Sequence, residues 1–150
     1  CHDCRQVHQY LKQVREELGH RLAVVVFPVP LETSCNPYIR STHSKHHGAC
    51  NYARLALAVF KVAPTQFAPF HDWLMDADEP PPFEQAVQYA EKLVGSDHDL
   101  RAVESTRLRD YVRLFKAANI HRLPAMIIGD RVLMGVPKDA SDIVTALKKD

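Results

Sequence analysis

Leu123-Pro124-Ala125-Met126-Ile127-Ile128-Gly129-Asp130-Arg131-Val132-Leu133-Met134 is the stretch on which the reading of the fold turns. Pro124–Gly129 and Arg131–Met134 read as two short strands, apolar and bounded by turn residues. Gly129-Asp130 between them fits a two-residue hairpin turn, because glycine takes the φ that such a turn needs without steric cost. Proline cannot donate to a strand ladder, so Pro124 suits the opening of a strand, and taken alone it says no more than that. Gly135 and Pro137 break the chain after the hairpin. A last helix is expected over 139–149, with Ile143, Val144 and Leu147 inward and lysines at its C-terminal end, where the helix dipole favours them.

The segments upstream are mostly helical. Residues 5–18 put Val7, Tyr10, Leu11, Val14 and Leu18 on one face with charges between them. Arg21–Val29 predicts a strand whose continuous run Leu22–Phe27 suggests burial on both faces, ended by Pro28 and Pro30. Residues 31–47 are polar and irregular. Helices are expected at about 48–62, 66–76, 83–94 and 103–118, with the acidic, proline-rich Asp78–Pro82 as a break between the second and third. The helix at 48–62 is apolar around most of its circumference, which predicts deep burial. The order is helix, strand, several helices, hairpin, helix, without an internal repeat.

The first helix follows directly on Cys1-His2-Asp3-Cys4. The opening N–H groups of a helix lack intrahelical partners and its dipole is positive there, so a sulfur at that end tolerates negative charge. The thiolate is the reactive form of cysteine. Two intervening residues let the second sulfur reach back and release a mixed disulfide. His2, when protonated, would stabilise a Cys1 thiolate, and Asp3 would oppose it. The same motif could also be half of a zinc site or a structural disulfide. A four-thiolate zinc site needs a second close cysteine pair, and the sequence has none.

Cys1-His2-Asp3-Cys4 with its helix, Leu123-Pro124-Ala125-Met126 opening a hairpin, and a helical block between them resemble the DsbA-like branch of the thioredoxin superfamily. The segment from His47-Gly48-Ala49-Cys50 to Val59-Phe60, followed by Phe70-His71-Asp72-Trp73-Leu74, looks like the start of the helical insertion of that branch. The resemblance spans nearly the whole chain. It implies an α/β, thioredoxin-like fold over residues 1–150 as one domain, with a helical insertion at about 48–102 and the first strand missing from the chain. It implies a protein thiol–disulfide oxidoreductase in which Cys1 and Cys4 exchange with cysteines of client proteins, tuned by His2 and Asp3. It places Pro124, with a cis peptide bond, opposite Cys1, and Leu123 as a main-chain edge for substrate. No organic cofactor and no metal are implied. Expected partners are cysteine-containing substrates and a redox partner of the quinone-linked or vitamin K epoxide reductase-like membrane kind, outside the cytoplasm, in the periplasm or an equivalent compartment. Two departures stand out: the pair between the cysteines is His-Asp where the family usually has Pro-His, and no strand with a buried acid precedes Cys1. The abrupt opening on Cys1 predicts a trimmed product.

Four cysteines allow three pairings, which sequence alone does not choose between. Cys35 and Cys50 flank a loop with His43, His46 and His47, and the plain reading is a structural disulfide pinning that loop to the helix at 48–62. An auxiliary redox pair, a Cys/His metal site and two free thiols are the alternatives. His121, just before the proline, is a candidate for substrate contact, and His71-Asp72 reads as an ordinary polar pair. A different class of function, a module holding copper or zinc on its cysteines, stays open, as does a thiol-dependent reductase of a small molecule. Against the last, no cluster of basic residues near Cys1 or Pro124 suggests a pocket for carboxylates. The remaining composition is bland: net charge is +1 with charged residues at 25% and hydrophobic ones at 46%, so nothing points to a nucleic-acid surface. No apolar run approaches the ~18–20 residues that cross a bilayer, so any membrane attachment would lie in a segment absent here.

Overall fold

A computed structural model describes residues 1–102 and 106–148. The elements in chain order are helix α1 (His2–Leu18), α2 (Ala49–Val62), α3 (Phe67–Asp76), α4 (Phe83–Val94), α5 (Arg107–Ala117), strands β1 (Ala125–Ile128) and β2 (Arg131–Met134), and helix α6 (Ala140–Leu147). Short 3-10 turns occupy Gly19–Arg21, Ser44–His46 and Pro64–Gln66. The first residues of the helix expected at 103–118, and Lys149 at the end of the last one, lie outside the described residues.

The chain divides into two compact units, Cys1–Val26 with Asn119–Asp150, and Phe27–Ala118. In the first, α1 buries Val7 and Val14 on the face that the heptad-like spacing marks out. Val14 meets Ile143 and Val144 of α6, and Met126 and Ile128 of β1 pack on that cluster together with Leu18 and Leu22. Asp139 starts α6 by accepting the N–H groups of Ser141 and Asp142 at 2.9 and 3.3 Å, so two of the orphan donors at the helix start are satisfied by a side chain. The hairpin closes as the sequence predicts: β1 and β2 are antiparallel, Ile128 faces Arg131, and Gly129 turns at φ 55°.

The strand expected over Arg21–Val29 is not formed. Gly19–Arg21 is a 3-10 turn, Leu22 is extended at φ −115° and ψ 125°, and residues 22–32 carry no helix or ladder. Burial on both faces fails with it, since Val24 is 40% and Val25 is 71% exposed. The physical reason is that a strand is defined by a neighbour. β-branched residues favour the pleated backbone, but a ladder needs a second chain segment on which to close its hydrogen bonds. Among the described residues the only sheet is the two-stranded β1–β2 pair.

The second unit is helical around a larger core. Phe70 of α3, Leu55, Ala58 and Val59 of α2, and Ala86, Val87 and Ala90 of α4 form one buried cluster. Trp73 and Tyr89 stack on its edge with centroids 4.3 Å apart. Alanines at the α2–α4 contact let the backbones approach, which agrees with the all-round apolar character of α2. Leu57 and Leu108 join α2 to α5. No helix among the described residues is long and apolar enough to cross a membrane.

Candidate functional site

Cys1 stands at the N-cap of α1 and Cys4 in its first turn. The Cys1 carbonyl accepts the Arg5 N–H at 3.1 Å, so the helix begins at once behind the first sulfur. No side chain caps this start. The helix end therefore keeps its positive dipole and first-turn donors for the cysteines themselves. Both sulfurs are free thiols: Cys1 is exposed and Cys4 half-buried. Burial pushes the Cys4 thiol up, and the Asp3 carboxylate adds to the rise. The N–H of Cys4 and the charge of Arg5 pull the other way without cancelling it. The two sulfurs thus differ in environment, one facing water and the other half-buried with its pKa pushed up.

His2 and Asp3 lie on the exposed side of the same turn, with His2 Nδ1 3.6 Å from Asp3 Oδ1. A protonated His2 would meet Asp3 directly, so part of its charge is spent on that carboxylate.

The second part of the expected site lies in the same unit. The Leu123–Pro124 peptide bond is cis. Leu123 is half-buried and Pro124 buried, immediately before β1. The Pro124 carbonyl accepts the Gly135 N–H at 2.7 Å, which pins the entry of β1 to the exit of β2. Gly135 holds φ +88°, and the Arg122 guanidinium sits where a side chain would stand. His121 is exposed, with Nδ1 3.3 Å from the Asn119 carbonyl.

Cys35 and Cys50, in the other unit, form a disulfide that closes a loop of 15 residues, with Cα atoms 6.0 Å apart. Free thiols at these positions are thereby ruled out. The structure adds a residue that sequence reading passed over. Glu32 accepts the Cys50 N–H at 2.8 Å, and this contact, with the Gly48 N–H, holds its carboxyl below the usual glutamate range against a smaller effect of burial. A capping carboxylate 18 residues upstream of its helix leaves no local pattern to find. Ser34 Oγ donates to Cys50 Sγ at 3.1 Å. In the loop, His43 Nδ1 accepts the Lys45 N–H, and the His43 and His46 rings meet edge to face at 6.1 Å. Burial, then nearby positive charge, lowers the pKa of His46.

No family model matches the sequence, and no curated protein matches it either. Solved structures do. A linker-deletion variant of Proteus mirabilis ScsC superposes with a TM-score of 0.75 at 21% identity, over 99% of this chain and 64% of that one. This chain therefore spans somewhat less than two-thirds of that protein. Proteus mirabilis ScsC in a compact conformation gives 0.69 at 20% identity, over 99% of this chain and 76% of the other. A periplasmic thioredoxin-like protein from Salmonella enterica serovar Typhimurium gives 0.71 at 22% identity, over 99% and 77%. At this level of identity, what the chain has in common with them is a fold.

Proposed function

We propose that this chain, whose fold is thioredoxin-like, is a protein thiol–disulfide oxidoreductase with Cys1 as the exchanging sulfur and Cys4 as the resolving one. The observation that carries the reading is the uncapped start of α1, with an exposed free thiol at the N-cap and a half-buried one in the first turn. A helix start of this kind stabilises a sulfur anion on either side of the exchange.

In the oxidising direction the chain holds a Cys1–Cys4 disulfide. A client thiolate attacks Cys1 Sγ; the client–Cys1 bond forms and the Cys1–Cys4 bond breaks. Cys4 leaves as a thiolate and takes up a proton, which the burial that raises its pKa favours. A second client thiolate then attacks the client sulfur of the mixed disulfide and expels Cys1. Two client thiols become one disulfide, and two electrons and two protons reside on Cys1 and Cys4. Run backward, the same steps reduce a client disulfide. Leu123 presents the main-chain edge along which the client lies, and buried Pro124 fixes that edge at the mouth of β1. His2 and Asp3 oppose one another in tuning the Cys1 thiolate. The Cys35–Cys50 disulfide is structural in this reading. The work is placed outside the cytoplasm, where disulfides persist, and a membrane redox partner of the quinone-linked or vitamin K epoxide reductase-like kind would restore the pair.

The test is the reduction potential of Cys1–Cys4, measured against a glutathione buffer, together with insulin reduction and the refolding of a reduced disulfide protein. The wild type should be active in at least one assay and Cys1→Ser in neither. Undiminished activity of Cys1→Ser overturns the assignment.

A further inference from the structure

We infer that Arg122 is a specificity-determining residue that favours clients carrying a carboxylate next to the reacting cysteine. The inference rests on the oxidoreductase reading above and adds to it the chemistry of the client. Arg122 lies two residues before Pro124 and its side chain is exposed. Its guanidinium nevertheless has a seat. A Cβ on Gly135 would stand 3.3 Å from Cζ and from Nε and 3.6 Å from Nη1, so the group lies close against the bare backbone of a residue whose φ of +88° favours glycine. That backbone is itself tied to the site, since the Gly135 N–H donates to the Pro124 carbonyl at 2.7 Å. The cation, the peptide it rests on and the proline form one cluster.

Within the same unit Arg131 has internal work, 3.8 Å from Asp130 and bonded to the Ala146 carbonyl at 3.4 Å. Arg122 has no ion-pair or hydrogen-bond partner among the described residues. A guanidinium always carries its charge, is weakly hydrated and matches the two oxygens of a carboxylate with parallel donors. Lying against Gly135 beside the edge assigned to the client, and left without an internal carboxylate among the described residues, it suits one that the client brings. A client laid along the Leu123 edge rises ~3.3 Å per residue, and the inference places the carboxylate on a close sequence neighbour of its cysteine. No covalent step is added; the effect is on capture and orientation.

The experiment uses the oxidised chain and three synthetic peptides, each with two cysteines flanked by Glu, Gln or Lys, and follows the loss of the Cys1–Cys4 disulfide by acid quench and mass spectrometry. Flanking charge also moves the thiol of the peptide, so the informative quantity is the ratio of wild-type to Arg122→Gln rates for each peptide. The ratio should be about threefold for the Glu peptide, the size of an exposed ion pair. It should be near one for Gln and below one for Lys, and the spread should shrink with added salt as screening grows. Equal ratios for the three peptides overturn the inference and leave the oxidoreductase reading intact. Failure of the wild type to react with any peptide removes both.

Discussion

Two helices of this protein carry a cysteine at or near their start, and they treat it in opposite ways. Cys1 caps α1 with no side chain competing for the helix start, and its sulfur is exposed and free. Cys50 sits in the first turn of α2, is 1% exposed, and is bonded to Cys35. There the Glu32 carboxylate has already taken the N–H of Cys50, and the Glu32 main-chain carbonyl lies 3.8 Å from the sulfur. A helix N-terminus is thus not by itself a reactive site. It becomes one when the donors and the positive end of the dipole are left for sulfur and the sulfur meets water. When a carboxylate takes the first-turn donor and burial closes the sulfur off, a cysteine at the helix start makes an anchor.

The largest effect that could break this contrast is on exchange activity. Cys1→Ser should bring peptide disulfide exchange down to the uncatalysed level, while a folded Cys35→Ala/Cys50→Ala protein keeps it. Loss of exchange in the double variant, with its helical signal intact, would mean that the two pairs are not divided in labour.

Next in size is stability. Opening the 15-residue Cys35–Cys50 loop should cost about 3 kcal/mol in denaturant unfolding, because the unfolded chain regains the freedom that the bond removes. Reducing Cys1–Cys4, four residues from end to end, should cost far less.

A smaller effect concerns Glu32. Its folded carboxyl lies below its ordinary range, so the contribution to stability is present above the unfolded value and is lost as pH falls through the folded one. Glu32→Gln should lower neutral-pH stability by about 0.5 kcal/mol, the scale of a charge at a helix start. It should also flatten the loss on acidification that the wild type shows. An unchanged acid limb in unfolding curves would remove Glu32 from the anchor.

The smallest is at Asp3. Asp3→Asn should bring the Cys4 thiol down, since burial raises it first and this carboxylate adds to it. Titration of thiolate absorbance in the Cys1→Ser background reads the change, and a rise would reverse the account of how the first turn is tuned.

What could be read beforehand follows the range of the interactions involved. The α1 face and the hairpin were legible because their signals are local: a helical repeat from Val7 to Leu18, and Gly129-Asp130 between two short apolar runs. Leu22–Phe27 misled because its composition speaks of a buried strand while the ladder depends on a partner elsewhere, and Val25 is left 71% exposed. The Cys35–Cys50 bond was the plain reading among alternatives that cysteine spacing leaves open, and the fold brings the two Cα atoms to 6.0 Å. Glu32 and Arg122 carried no readable signal, for one acts 18 residues away and the other depends on a bare glycine across the hairpin.

The most direct test is to trap the intermediate. Cys4→Ala protein with Cys1 as a free thiol and Cys35–Cys50 intact is mixed with an excess of a disulfide-linked peptide, quenched with acid and mapped by proteolysis and mass spectrometry. A peptide joined to Cys1, with Cys35–Cys50 still paired, is the result predicted here. A peptide found on Cys35 or Cys50, or no adduct at all, would contradict the role given to the sulfur at the head of α1.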